Sequence, residues 1–204
     1  MAKKILLVVA VVVLGLVGVI ASRPAEFRIE RSVVISAPAD VVQAQVVDFH
    51  KWGAWSPWEK LDPAQTRTYS GAESGVGAQY AWAGKKVGEG KMTIKEVTPG
   101  QRVVIDLEFI TPMEARNVVE LALTEQGTGT QVRWVMTGQN NFLGKAFSLV
   151  MDMDQMVGKD FESGLAALKT VSEGEAARLA EAKAAEAAAA AAPPAGEAVA
   201  QETP

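Results

Sequence analysis

The chain has 204 residues, a formal net charge of −4, no cysteine and one histidine. Such a small net charge provides no field to attract nucleic acid, and the lack of cysteine excludes disulfides, thiolate metal sites and a cysteine nucleophile. Because His50 is the only imidazole, a histidine-rich metal site is excluded too. We therefore expect no nucleic-acid partner, no metal and no cofactor.

The N-terminal segment has the composition of a membrane-spanning helix. Lys3 and Lys4 precede an unbroken apolar run over residues 5–21. This run has the minimum length for spanning a bilayer and exceeds a typical signal-peptide core, although a cleaved signal stays an alternative. The two lysines favour a cytoplasmic N-terminus. We predict a single-pass anchor at residues 1–22, with the following domain on the periplasmic or other extracytoplasmic side.

The first part of the body reads as a strand followed by a short helix. Residues 27–35 alternate between apolar and polar side chains, which is typical of a half-buried strand. Pro38 and Asp40 then mark a helix start, and the short amphipathic helix should end near His50.

Three tryptophans follow within seven residues, at Trp52, Trp55 and Trp58. Tryptophan buries a large area wherever it lies, so one interpretation is that they close the open end of a sheet. The other interpretation is that they line the mouth of a pocket.

Alternating segments separated by glycine and proline turns occupy residues 66–137. The clearest has Val103, Ile105, Leu107 and Phe109 on one face. Short connections require antiparallel pairing of consecutive strands. Together with the first strand, these segments predict a sheet of about seven strands.

Residues 141–171 carry apolar side chains at steps of three and four, which predicts one long amphipathic helix. A single long helix after a run of strands needs a sheet to cover its apolar stripe, so we expect an α+β fold. Residues 173–204 are rich in alanine and hold six acids and two bases, a charge of −4. We expect this low-complexity tail to be a frayed helix followed by disorder.

Five motifs occur between residues 27 and 171: VVISAP (33–38), FHKWGAWSPW (49–58), GVGA (75–78), GTGTQVRW (127–134) and GLAALK (164–169). With these motifs the chain resembles the SRPBCC superfamily, also called START-like, in its polyketide cyclase/dehydrase and lipid-transport branch. The resemblance covers residues 27–171. It implies a helix-grip fold, in which a curved antiparallel sheet of about seven strands holds a long C-terminal helix beside a hydrophobic cavity. The superfamily contains carriers, cyclases, stress proteins and chaperone activators, so membership does not by itself define an activity.

No catalytic residue is predicted, because the sequence has no Gly-x-Ser-x-Gly elbow and no phosphate-binding loop. Large apolar side chains are the candidates for a ligand pocket, although an ordinary core would use the same residue types. The candidates are Trp52, Trp55, Trp58, Tyr80, Trp82, Met92, Phe109, Trp134, Met136, Met153, Met156, Val157 and Phe161.

Three functions are compatible with this organisation. The preferred one is a membrane-anchored domain that binds a hydrophobic small molecule or lipid. The first alternative is a polyketide cyclase/dehydrase-like enzyme, which requires an acid or tyrosine with unusual proton affinity in the pocket. The second alternative is an envelope protein-interaction module without a ligand. The sequence leaves the oligomeric state open.

Overall fold

The body of the protein is a curved, fully antiparallel sheet in the order β1-β7-β6-β5-β4-β3-β2. The structure is a computed structural model and describes residues 1–191. The strands are β1 (Glu26–Ile35), β2 (Thr66–Gly71), β3 (Ala78–Gly84), β4 (Gly88–Thr98), β5 (Arg102–Thr111), β6 (Ala115–Gln126) and β7 (Gly129–Gln139). This sheet and the long helix described below confirm the predicted α+β helix-grip fold.

The alternation seen in the sequence decides which face of the sheet is covered. In β5, Val103, Ile105 and Leu107 are buried on the concave face. Asp106 and Glu108 lie on the opposite face, where they form ion pairs with lysines of β4. Because side chains alternate along a strand, this parity fixes the concave face of the neighbouring strands, except where the register of β4 shifts, at Glu89/Gly90 and Ile94/Glu96.

Short helices close one side of the sheet. They are α2 (Ala39–Val46) and two 3-10 helices, Phe49–Ala54 and Pro57–Lys60. Asp48 caps the first 3-10 helix, since its carboxylate accepts a hydrogen bond of 2.9 Å from the backbone N–H of His50. Pro57 occupies the first turn of the second, where its missing N–H costs no hydrogen bond.

The predicted single helix over residues 141–171 is wrong in one respect, because it is interrupted. A short helix α3 (Phe142–Phe147) is capped by Asn141, whose side chain accepts from the N–H of Gly144 at 2.8 Å. The long helix α4 (Met153–Ala191) then starts anew, with the Asp152 side chain accepting from the N–H of Gln155 at 3.0 Å. Two capping side chains thus start two helices where the apolar spacing alone implies one.

Helix α4 lies across the concave face and buries Phe161, Leu165 and Leu168. It is fixed to β1 by Arg31, which donates to Glu162 at 2.8 Å and to Asp154 at 3.2 Å. The helix then continues unbroken to Ala191, as expected from the high helix propensity of its alanines. Residues 173–191 of the predicted tail are therefore helical, and the disorder predicted from Pro193 onward lies outside the described residues.

Within residues 1–191, one helix is long and apolar enough to cross a membrane: α1 (Ala2–Ser22). Its length is about 32 Å at 1.5 Å per residue, close to the thickness of a bilayer's hydrocarbon core, about 30 Å. Along this helix, Ile20 alone is buried.

The contact between α4 and the sheet can be tested at Gly164. A Cβ there would lie 2.9 Å from a ring carbon of Trp134 and 3.0 Å from Cδ of Pro57. We expect Gly164→Val to lower the free energy of unfolding by about 1–3 kcal/mol, because both neighbours are held by the core. Chemical denaturation of the detergent-solubilised chain, followed by near-ultraviolet circular dichroism, measures this change.

Gly174 is the matched control on the same helix, since no atom lies within 4 Å of the position that a Cβ would take there. Gly174→Ala should raise stability by up to about 1 kcal/mol through helix propensity alone. Equal effects of the two substitutions would contradict a close approach of α4 to the sheet.

Candidate functional site

A cavity of about 290 Å³ lies between the concave face of the sheet and α4. Strands β3 to β7, the two 3-10 helices and the first turns of α4 all contribute side chains to its wall. Most of the sequence-predicted pocket residues line it, namely Trp52, Trp58, Tyr80, Trp82, Met92, Phe109, Trp134, Met136, Val157 and Phe161. Their role in ligand binding stays a prediction.

Three predicted pocket residues do not line the cavity. Trp55 is fully buried behind Trp52, and its Nε1 donates to the backbone carbonyl of Gln45 at 3.2 Å. Met156 precedes Val157 by one residue and therefore points about 100° away around the helix, where it is 46% exposed. Met153 lies in the first turn of α4 and is also exposed.

Stacked aromatic rings form the deep wall of the cavity. Trp134 and Phe161 stack nearly parallel, with ring centroids 4.4 Å apart. Trp58 packs edge-on against both rings, at 5.7 Å and 6.1 Å. Edge-to-face and stacked pairs each add a modest stabilisation beyond area burial, so this wall is rigid and apolar.

The mouth of the cavity does not lie at Trp52 and Trp55. Trp52 and Trp55 are buried, which favours the interpretation that they close the interior. The exposed residues of the cavity wall are Leu61, Lys86 and Phe109, and these form the rim. The rim thus lies between the second 3-10 helix, the β3–β4 turn and the end of β5.

One side of the wall is polar, and sequence reasoning missed it. The Glu59 side chain is only 9% exposed and accepts hydrogen bonds from the Tyr80 hydroxyl at 2.5 Å and from Arg67 Nε at 2.6 Å. Gln65 Nε2 also lies 3.4 Å from the carboxylate. A glutamate on a short polar segment looks solvent-exposed in the sequence, and its inward direction follows only from the folded path of the second 3-10 helix.

This cluster keeps its tyrosine protonated. Burial raises the pKa of Tyr80 well above its ordinary value, and donation to Glu59 raises it further. Burial also raises the pKa of Tyr69. The hydrogen bond to Glu59 raises the pKa of Arg67, so the carboxylate faces a permanent cation. The charge of Glu59 is therefore balanced, and Lys86 is the other charged residue of the cavity wall.

Three other titratable residues lie away from the cavity. His50 stacks on Tyr69 at 4.1 Å and contacts Asp48 through Nδ1. Asp106 forms an ion pair on the convex face, and Glu114 is exposed in the β5–β6 turn. Among residues 1–191, no group of three or more histidine, cysteine, aspartate or glutamate side chains could hold a metal ion.

Comparison with protein families gives one match over most of the chain. The family model described as polyketide cyclase/dehydrase and lipid transport matches residues 26–173. This match confirms the resemblance drawn from the sequence motifs. The sequence matches none of the curated proteins with which it was compared.

Solved structures share the fold at low sequence identity. A protein from Chromobacterium violaceum is 16% identical, with a TM-score of 0.53, and the alignment covers 74% of this chain and 99% of that one. The Aha1 dimer from Colwellia psychrerythraea is 15% identical, with a TM-score of 0.52 and coverage of 72% and 96%. A protein from Rhizobium leguminosarum is 11% identical, with a TM-score of 0.54 and coverage of 74% and 97%. Identities this low establish the fold alone.

Alkaline titration tests the polar wall, because Tyr69 and Tyr80 are the only tyrosines of the chain. Both pKa values are raised in the folded protein, so phenolate absorbance should appear only well above about pH 10, the ordinary tyrosine pKa. A raised pKa stabilises the fold below the pKa of the unfolded chain. That stability should be lost as the pH rises beyond about 10.

Tyr80→Phe supplies the control for this titration. The variant should lose the later-ionising group and show a weaker decline of stability at alkaline pH. Ordinary titration of both tyrosines in the native protein would contradict the buried contact between Tyr80 and Glu59.

Proposed function

Because the chain belongs to the polyketide cyclase/dehydrase and lipid transport family, we propose that it is a membrane-anchored domain that binds a hydrophobic small molecule or lipid. The observation that carries this proposal is the apolar cavity between the sheet and α4. A volume of about 290 Å³ is near the lower end of the range for small-molecule sites, which starts at about 300 Å³.

The chemistry of the wall supports an apolar ligand body. Methionine side chains adapt to ligands of varied shape, and the aromatic rings offer a large apolar contact area. The charge of Glu59 is balanced by Arg67, so the interior does not require a charged ligand. Lys86 at the rim is suited to the polar or acidic end of an amphiphile, whose apolar part would fill the cavity.

The apolar helix α1 supports the anchor. It has the length and composition of a membrane span and joins β1 through three residues. Lys3 and Lys4 before it favour a cytoplasmic N-terminus, with the domain on the extracytoplasmic side.

A cyclase-like enzyme is the second candidate, favoured by the phenol of Tyr80 and the carboxylate of Glu59 on the cavity wall. Both groups are already engaged, however, because Glu59 accepts from Tyr80 and Arg67 together. A general acid or base must be able to exchange a proton with the substrate, so this arrangement fits a structural contact better than catalysis.

Filling the cavity tests the binding function. Val119 lines the cavity and is 4% exposed, whereas Val118 on the opposite face of β6 is 44% exposed. We expect protein purified from its own membranes to carry small molecules that native mass spectrometry detects. Val119→Phe should remove most of this bound mass, because the added ring occupies the space a ligand would fill.

Val118→Phe is the matched control and should retain the same bound molecules as the wild-type protein. Protein that is consistently empty, or equal occupancy in the two variants, would refute binding in this cavity.

Reporter fusions test the topology. A reporter that is active only outside the cytoplasm, fused after Pro204, should be active, and one that is active only inside should not. The opposite result would reverse the proposed orientation. Activity of the outside reporter together with loss of α1 from the mature protein would show that a signal is cleaved.

A further inference from the structure

We propose that the end of the sheet carrying the cavity mouth lies on the bilayer that α1 spans, with residues 142–156 inserted into its interface. This inference rests on the membrane anchor of the proposed function. It adds a second membrane contact to the anchor, and it specifies that the cavity opens toward the bilayer.

The strand register places the mouth and the anchor at the same end of the sheet. β1 begins at Glu26, which pairs with Gln139 at the end of β7. Going across the sheet, the next connection at this end is the β5–β6 turn, followed by the β3–β4 turn. Phe109 lies beside the first turn and Lys86 lies within the second. Leu61 is held nearby, since its neighbour Asp62 accepts from the N–H of Lys86 at 3.0 Å.

The connection between α1 and β1 is too short to let this end move far from a membrane. Residues 23–25 separate the two elements, so the Cα atoms of Ser22 and Glu26 can lie at most about 14 Å apart. The N–H of Asn140 donates to the carbonyl of Ala25 at 2.7 Å, and Lys145 Nζ donates to the carbonyl of Ala21 at 3.3 Å. With α1 across the hydrocarbon core, Ala21 lies at the core boundary, and α3 therefore lies at the level of the lipid headgroups.

Residues 142–156 expose more apolar surface than is favourable in water. Val150 is 82% exposed, and six other large apolar side chains between residues 142 and 156 are at least 41% exposed. The set is Phe142, Leu143, Phe147, Val150, Met151, Met153 and Met156. Helix α1 contacts α3, but these side chains stay exposed among residues 1–191. Burial of apolar side chains is favourable, so transfer of several into an interface gives a stable contact.

The exposed apolar surface continues onto the neighbouring turn. Ile110 and Met113 at the β5–β6 connection are exposed at the same end, next to the rim residue Phe109. The mouth would therefore face the bilayer, and a hydrophobic ligand would pass between membrane and cavity without crossing water. A bilayer is the occupant that these observations favour over a protein partner, because the patch adjoins the end of α1 and lies at headgroup depth.

The absence of native cysteine allows a direct depth measurement on the full chain. A nitroxide attached to the cysteine of Val150→Cys lies on the apolar region. One attached to the cysteine of Thr128→Cys lies on the exposed β6–β7 turn at the opposite end of the sheet. Both proteins are reconstituted in vesicles of phosphatidylethanolamine and phosphatidylglycerol. Collision rates of each label with oxygen, which concentrates in the bilayer, and with a water-soluble nickel chelate are then compared.

We expect a several-fold higher oxygen-to-nickel collision ratio for the Val150→Cys label than for the Thr128→Cys label. Equal ratios would overturn the proposal, because the region would then lie in water. Shielding of the Val150→Cys label from both reagents would also overturn it. Spin–spin broadening would then identify a second copy as the cover, and its absence would identify burial against the chain's own domain.

The labelling needs no ligand, so its outcome is independent of the binding experiment. A high collision ratio with an empty cavity supports the membrane contact and refutes ligand binding. A low collision ratio together with bound molecules refutes the membrane contact and supports ligand binding. Val150 is almost fully exposed, so its substitution disturbs no core contact, and unchanged circular dichroism verifies the fold of the labelled protein.

Discussion

The stacking of Phe161 on Trp134 sets the distance between α4 and the sheet, and the cavity depends on that distance. The ring centroids are 4.4 Å apart, and Gly164 one turn along lets the helix backbone pass close to the same tryptophan. Toward residue 153 the helix has no equivalent aromatic contact, because Val157 is smaller and borders open space. The helix is held by this stack and, at Asp154, by Arg31 of β1, and the smaller Val157 between these contacts leaves a volume that the sheet does not fill.

The polar cluster of Glu59, Tyr80 and Arg67 compensates for the burial of a carboxylate in the cavity wall. A glutamate exposed by only 9% would be costly without partners, and here it has a guanidinium and a phenol within hydrogen-bonding distance. The cluster joins the second 3-10 helix to β2 and β3, the strands at the far edge of the sheet from β1. It therefore holds the wall opposite α4, and both sides of the cavity are fixed before any ligand is present.

Strand parity explains why much of the candidate site could be predicted from the sequence. Once alternation assigns Tyr80, Trp82 and Trp134 to one face, they must meet over the same cavity. The break before α4 could not be predicted in this way, because Leu149 and Met153 continue the helical spacing across it. Apolar periodicity predicts that side chains are buried, but it does not predict the environment that buries them. It therefore assigns the exposed side chains of residues 142–156 to a protein core. The position of Glu59 depends on the path of a 3-10 helix, which no local pattern specifies.

Helix α4 runs along β1 in the same direction, with Asp154 beside Arg31 and Glu173 beside Ser36. Beyond Ser172, its last buried residue, it continues without a break to Ala191, which is about 29 Å farther at 1.5 Å per residue. The alanine-rich segment is therefore a stiff spacer, and it extends from the end of the sheet opposite the one at which β1 begins. Whatever is joined to the chain after Ala191 starts at a distance from α1 that is set by a rod and not by a flexible linker.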